Sequence, residues 1–359
     1  MVFPNNGVVT ASKITPSQCG LLYVAQPENS EKEDLWTRGF SQERETELYA
    51  ANLWDDTDTK TASIASDATP TRHTRIKPFF IEAEEVISTF GLTALDRFER
   101  LSRQLEGVTQ KAIEAELWTG EIRRSTPHDN PALTAATATV LNSGTALSPK
   151  RALALLEYSI GAASPCGEQG VIHVTRDLGT LLASDSYLVY HDSNNNHMKT
   201  FGGTPLVIGS GYTGSGIASV ITNKALTSNE AVLTTSAAHY IAVGDTVTIS
   251  GVGAPFDGTY TTISGTTGST IKYAKTATNV ASAASAGFAH LQGTATSKWM
   301  YATGKVKVYL GKVDMVNDGY DQAYNNAENI NDMRFKAIRP AAVYFDSSIH
   351  LAVRVDLTA

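Results

Sequence analysis

The chain has 359 residues, 42% hydrophobic and 18% charged, with a formal charge of −7 at pH 7. That length predicts two or three domains able to bury substantial apolar surface. The acidic balance excludes a protein whose work is gripping nucleic-acid phosphate, because counterion release needs a positive surface. No apolar run approaches the roughly 18 to 20 residues of a membrane-spanning helix, and none is expected here. Met1 to Thr10 lacks the positive start and apolar core of an export signal, so folding in the cytoplasm is expected. Cys19 and Cys166 form no metal-type cluster and read as reduced thiols.

Residues 1 to about 37 show no strong period and read as an extended arm with little to fold against alone. From about Arg38 to Lys77, ETELYAANLWDD and TRHTRIKPFF flank the polar centre TDTKTASIASDATP, a pattern that predicts a long two-armed loop. The stretch Ser88 to Gly120 reads as one long charged helix. Thr93 and Asp96 give a start signal, in which the hydroxyl satisfies a first-turn amide, and Gly120 gives the stop. Leu95, Phe98, Leu101, Leu105, Val108, Ala112 and Ala115 recur at helical spacing. Asp96 with Arg100 and Glu99 with Arg103 stand four apart in the stabilising acid-first order. From Thr93 to Thr119 the helix would be about 40 Å long, a strut rather than an ordinary packing element.

Two further helices follow, ALSPKRALALLEYSI after Pro149 and VTRDLGTLLAS, then a strand at SYLVYHD. From about Ile221 to Gly293 the texture turns to Thr, Ser, Ala and Gly. AVLTTS, DTVTISGV, GTYTTISG and TIKYAKT are four short strand-type runs there, so this region reads as an inserted β domain. Charge and aromatic residues return in SKWMYATGKVKVYLG, and RPAAVYFD and IHLAVRVDLTA close the chain as strands. The outer segments are expected to rejoin across the insertion.

For chemistry, TPLVIGSGYTGSGIASV places Gly209, Gly211 and Gly214 in the G-x-G-x-x-G spacing directly after an apolar run. In a dinucleotide site such glycines let the backbone approach a pyrophosphate at a helix start. Glu230 lies at about the distance of a ribose ligand, and YATG (Tyr301 to Gly304) is a second glycine motif of flavoprotein type. Against this, IASVITNKAL is short and β-branched for a phosphate-binding helix, and Glu230 opens its strand where a ribose ligand should close one. A flavin- or nicotinamide-dependent oxidoreductase using Gly209–Gly214 therefore stands as one alternative, beside a glycine-rich turn next to a strand.

The eight histidines include no H-E-x-x-H and no metal-type pairing, so no metal site is assigned. Neither a G-x-S-x-G elbow nor a phosphate-binding G-x-x-x-x-G-K-[ST] loop occurs. Asp314, Asp318 and Gly319 sketch a calcium loop, but Val316 and Asn325 break it, leaving a polar turn. No catalytic residue and no cofactor are assigned, and the chain is not read as an enzyme.

The order of parts is similar to that of the major capsid proteins of tailed double-stranded DNA phages, of the Hong Kong ninety-seven type, particularly those of actinobacterial hosts. The likeness is carried by KPFFIEAEEVISTFG, FERLSRQLEGVTQKAIEAELWTG, GGTPLVIGSGY, WMYATGKVKVYLG and the Asn-containing stretch before RFKAIRP. The resemblance implies an α+β capsid fold: an N-terminal arm (1–37), an extended loop (38–80) and a peripheral domain with a long spine helix (81–147, continued by about 323–345). It further implies an axial domain (148–220 and 294–322, with part of 346–359), while 221–293 is an inserted β-sandwich-like domain outside the basic plan.

That resemblance also implies self-assembly into pentamers and hexamers of an icosahedral shell enclosing the genome, with assembly in the host cytoplasm, maturation from a procapsid and a place in the virion. Implied partners are further copies of itself, a portal, a maturation protease, a decoration protein and, because Met1 leads almost at once into the arm, a separate scaffolding protein. Contact with packaged DNA is expected to be weak, and no membrane partner is expected. Leu48, Tyr49, Leu53 and Trp54 would bury their apolar surface on a neighbour. Lys60 sits where some relatives form a covalent cross-link, with Asn326, Asn329 or Asn331 as acceptors, although a non-covalent shell is favoured. Another virion protein, of a tail or a decoration, binding through the β module, is the remaining alternative.

Overall fold

The computed structural model describes residues 17, 19–30, 36, 40–43, 73–88, 94–120, 130–163, 170–184, 189–192, 197–317 and 332–358. Helices and strands are both abundant and partly segregated, giving an α+β fold of three main sheets.

The first sheet is organised by a long helix. Helix α2 will denote Ala94–Thr119, and α1 the five-residue helix Leu21–Ala25. Gly120 ends α2 in the left-handed conformation at φ 65°, its amide donating to the Glu116 carbonyl at 2.7 Å, the usual way a glycine satisfies a last-turn carbonyl. The helix lies on a five-stranded sheet containing Glu28–Asn29, Phe79–Ser88, Val306–Leu310, Asp314–Asn317 and the long strand Asp332–Phe345. Leu101, Leu105, Ile113 and Leu117 pack there with Phe79, Ile81, Ala337 and Val343 in one buried cluster.

The face of α2 differs from the one its apolar spacing predicts. Val108 is exposed, while Thr109, Gln110, Glu114, Glu116 and Trp118 are buried. The C-terminal half of the helix meets the sheet on one side and other elements on the rest, so almost its whole circumference is enclosed.

The opposite face of this sheet carries Tyr309, Ala342 and Tyr344, on which Ile76 and Trp36 pack. Ile76 ends the strand His73–Ile76, which pairs antiparallel with Phe40–Glu43. That two-stranded ladder lies within the segment read as a two-armed loop, whose residues 44–72 fall outside the described residues. Phe79 and Phe80, read as the end of the loop, are already part of the strand Phe79–Ser88.

The second sheet has seven strands in the order Thr139–Val140, His350–Asp356, Ser297–Thr303, Val171–Thr175, Pro205–Gly209, His197–Thr200 and Val189–Asp192. Helix α3 (Pro149–Ala163) and helix α4 (Arg176–Ala183) cover one face, burying Leu153, Leu156, Leu178 and Leu182 against Ile172, Val174 and Val353. Val171, Val207, Tyr301 and Ala352 face the cluster that holds α2. Central strands buried on both faces read as continuous apolar runs, which is why VIHVT and WMYAT lack alternation.

The third sheet is formed entirely by residues 218–291. Its ten-residue strand Ala218–Thr227 pairs first with Phe288–Leu291, then with Glu230–Thr235 and Val280–Ala284. Ser228 and Asn229, at φ 53° and 63°, make the two-residue turn whose twist suits a hairpin. The remaining strands, Thr246–Ser250, Gly258–Thr261 and Thr270–Ala274, complete the seven. Ile221, Leu233, Val247, Ile249, Phe256, Ile271 and Tyr273 form a separate buried cluster. The polypeptide runs into and out of this sheet side by side, the Gly216 amide donating to the Leu291 carbonyl at 2.8 Å.

The predicted arm differs in one respect. Residues 21–29 are not left without a partner within the subunit: Leu21 is fully buried in the main core, and Glu28–Asn29 pairs with Tyr309–Leu310. The apolar run LLYVA supplies what an arm of mixed composition was expected to lack.

Candidate functional site

The glycine pattern at 209–214 was the sharpest chemical lead, and the fold assigns it another task. The segment after it is the strand Ala218–Thr227, not a helix, so no helix N-terminus faces the loop. Its amides are already occupied: Ser210 N and Gly211 N donate to Glu114 Oε2 at 2.7 and 2.9 Å, and the Ser210 hydroxyl adds a third bond at 3.1 Å. The loop is an anion cradle holding an internal carboxylate. A Cβ on Gly211 would lie 2.3 Å from the Lys111 carbonyl oxygen of α2, so glycine is needed here for helix contact, not pyrophosphate contact. Gly209 closes against the Tyr212 ring, and Gly214, at φ 74°, makes the turn beside Lys298. Glu230 pairs with Lys272 at 2.5 Å. The dinucleotide reading is therefore corrected: β-branched IASVIT forms a strand, and Glu114 fills the cradle.

Around this loop the body is held by polar groups with specific partners. Trp118, fully buried, donates from its indole nitrogen to Ser215 Oγ at 2.9 Å. Its ring lies 4.7 Å from that of Tyr212 and 5.0 Å from that of Tyr301. The Tyr301 hydroxyl donates to the Ser215 carbonyl at 3.0 Å. His173 bridges two further elements, with Nδ1 2.9 Å from the Tyr212 hydroxyl and Nε2 3.0 Å from Thr303 Oγ1. The Thr303 hydroxyl proton is committed to the Gly304 carbonyl. The histidine thus donates from Nε2 and accepts at Nδ1, which is the neutral tautomer.

Burial, with a contribution from His350, pushes the His173 pKa down to about 3. Burial also lowers His350, whose Nε2 donates to the Leu133 carbonyl at 2.9 Å. The Tyr212 phenol is raised well above its ordinary value by burial and by the Glu114 carboxylate. Burial keeps these groups uncharged. Among the described residues no three His, Cys, Asp or Glu side chains gather as a metal site. Asp314 lies in the strand Asp314–Asn317, which removes the start of the calcium-loop pattern. No helix among the described residues is long and apolar enough to cross a membrane.

A groove of about 240 Å³ lies where the third sheet meets the body, between Ala138, Val140, Ser219 and Tyr240, with no charged side chain in its lining. Tyr240 lies over Gly144, where a Cβ would come within 2.2 Å of the ring.

The surface carries what the interior lacks, unpaired apolar side chains. Phe201, in the turn between the strands His197–Thr200 and Pro205–Gly209, is 85% exposed, and Tyr158 on α3 is 75% exposed. Helix α3 and the segment after this turn are linked, because Glu157 accepts from the Thr204 hydroxyl at 3.0 Å. Phe80, on the first sheet, is 59% exposed. Sequence reading missed all three, since an isolated aromatic residue carries no sign of which way it will face. The contact candidates Leu48, Tyr49, Leu53, Trp54 and Lys60, and the acceptor candidates Asn326, Asn329 and Asn331, lie outside the described residues.

No protein-family profile matches the chain, and no curated protein matches it. Among solved structures, the capsid of a native GTA particle is similar over 100% of this chain and 96% of its own, at 10% identity and a TM-score of 0.47. A Gordonia phage Cozz structure is similar over 100% and 92%, at 10% identity and a TM-score of 0.42. A Microbacterium phage Oxtober96 structure is similar over 96% and 93%, at 12% identity and a TM-score of 0.42.

Proposed function

We propose that this chain is a major capsid protein, a non-enzymatic subunit that assembles with copies of itself into pentamers and hexamers of an icosahedral phage shell around double-stranded DNA. The observation that carries the reading is the distribution of apolar surface. Phe80 stands exposed on one sheet, and Tyr158 and Phe201 stand exposed on another. Exposed aromatic side chains offer surface that a neighbour can bury, and a subunit carrying them on two separate layers can contact different neighbours at once. A closed lattice of heterologous contacts requires that; a two-fold dimer does not.

Three further features support the reading. The ladder of Phe40–Glu43 with His73–Ile76, on which Ile76 and Trp36 pack against the first sheet, is a fixed base from which the proposed extended loop would reach a neighbour. The spine helix lies against the main sheet, and the segments that resemble capsid proteins form α2, the strand Phe79–Ser88 and the Glu114 cradle. In this scheme the peripheral domain (81–147, continued by about 323–345) takes α2 and the paired strands Phe79–Ser88 and Asp332–Phe345, and the axial domain (148–220 and 294–322, with part of 346–359) takes α3, α4 and most of the second sheet. Residues 221–293 are the insertion, whose sheet begins at Ala218. Scaffolding, portal, protease and decoration partners belong to the same reading, as do assembly in the host cytoplasm and weak contact with packaged DNA.

The test is sedimentation of the purified full chain with and without the triple substitution Phe80→Ser, Tyr158→Ser, Phe201→Ser. Wild type should form particles far heavier than the 38.3 kDa chain, alone or with a scaffolding protein, and the variant should stay small while keeping its far-UV spectrum. Wild type that remains a single folded subunit under both conditions would overturn the proposal.

A further inference from the structure

Glu114 is fully buried, yet among the described residues no lysine or arginine pairs with it. Its charge is met by three main-chain amides, one hydroxyl and one carboxamide. Such a carboxylate persists only while all its donors stay in place, because an under-solvated buried charge is costly.

The two oxygens serve different elements. Oε2 takes the whole glycine loop, Ser210 N, Ser210 Oγ and Gly211 N. Oε1 takes Leu21 N at 3.1 Å and Gln110 Nε2 at 2.9 Å. Leu21 is the first residue of α1, whose capping position, Gly20, contributes no side-chain bond. Oε1 therefore does for α1 what a capping side chain does elsewhere, accepting an otherwise unpaired first-turn amide. A five-residue helix is far below the length that persists alone in water. Its neighbour bonds fit the same role: the Ile208 amide donates to the Cys19 carbonyl at 2.8 Å, and a Cβ on Gly20 would fall 1.6 Å from Gln110 Nε2.

The geometry points to Glu114 as a two-sided latch that fixes the start of the N-terminal segment to the spine helix and the glycine loop together. Oε1 sets where α1 starts against the spine helix. Glutamine at this position has one acceptor oxygen and one donor group, so it can serve only one side. The loop side offers three donors and competes better for the oxygen, and the N-terminal segment loses its anchor.

The experiment is hydrogen exchange on the full chain as wild type, Glu114→Gln and Gly20→Ala. Peptides spanning 19–30 should exchange roughly tenfold faster or more in both variants, the change expected when a hydrogen bond to a charged group is lost. The strands Ser297–Thr303 and His350–Asp356 should keep their protection. A Cβ at position 20 would crowd Gln110 and, at 2.9 Å, Glu114 Oε1, the N-terminal side of the latch, so Gly20→Ala should leave residues 209–216, held by Oε2, protected and carries the test if Glu114→Gln does not fold. Unchanged protection of 19–30 in either folded variant would overturn the latch, as would loosening of 209–216 with 19–30 still protected. The expected consequence for shells, fewer closed particles from Gly20→Ala, rests on the proposed capsid function. The exchange result does not, so the two can fail separately.

Discussion

The body around Glu114 and the third sheet at 218–291 solve the same problem by different means. In the third sheet the core is mainly apolar, and every strand finds its partners within residues 218–291. Tyr273 satisfies its hydroxyl on the Phe256 carbonyl at 3.0 Å and stacks on Tyr260 at 4.2 Å, and the buried Thr235 and Thr262 hydroxyls donate to the nearby Ala237 and Ala242 carbonyls. In the body, Glu114, Trp118, His173, Tyr212 and Tyr301 are buried with polar atoms whose partners come from residues up to 130 positions away. Non-directional burial lets a module fold wherever it is inserted. A network of paired polar groups instead fixes one arrangement of distant elements, because each orphaned partner is penalised. The body should therefore respond as one cooperative unit, and the third sheet as a nearly independent one.

The sharpest way to break that contrast is Trp118→Ala. Loss of a large buried ring costs about 3–5 kcal/mol, and Ser215 Oγ loses its indole donor. The body should lose protection against exchange throughout both of its sheets, while 230–235 and 246–250 keep theirs. Equal loss in the third sheet would show that the two regions are not separable. The converse change, Leu233→Ala, removes a fully buried side chain of the third sheet and should cost about 2–5 kcal/mol there, leaving the body's melting transition in place.

Acidification sharpens the comparison further. His173 is neutral when folded, with its pKa pushed to about 3, whereas the unfolded chain takes up the proton from about pH 6.5 downward. Between those values the unfolded state binds more protons, so stability present at neutral pH is lost as the pH falls. By pH 4.5 the loss is roughly 2–3 kcal/mol, and His350, lowered for the same reason, adds to it. His173→Gln should flatten the dependence of the urea midpoint on pH. An unchanged slope would remove the histidine from the account.

The smallest stability effect is expected at the surface. Tyr158→Ser and Phe201→Ser should shift the melting free energy by no more than about 0.5 kcal/mol, yet reduce self-association. A large fall in stability would mean that these side chains serve the subunit and not its neighbours.

Much of this contrast could be read in the sequence on the apolar side and little of it on the polar side. The strand runs DTVTIS and TIKYA, the stop at Gly120 and the helix after Pro149 announce themselves through period and turn chemistry. VASAASAGFAH did not, since Ala and Ser carry no strand preference; the strands Val280–Ala284 and Phe288–Leu291 form because Ala218–Thr227 offers them edges. Asp332–Phe345 was seen only in its second half, because its partner, Phe79–Ser88, lies far away in sequence.

Glu114 was the hardest to foresee. A glutamate on a charged helix reads as solvent-facing, and only the distant glycine loop makes its burial affordable in energy. The same loop misled in the other direction: the spacing of its glycines suits any close anion, and the β-branched residues after it were the signal that the anion would not be a nucleotide.

The most direct test of the central claim is cryo-electron microscopy of the chain expressed with a scaffolding protein. The account predicts closed icosahedral shells in which this subunit occupies both five-fold and six-fold positions, with residues 44–72 lying across an adjacent copy. A solitary subunit with that loop folded on its own body, under every condition of expression, would contradict it.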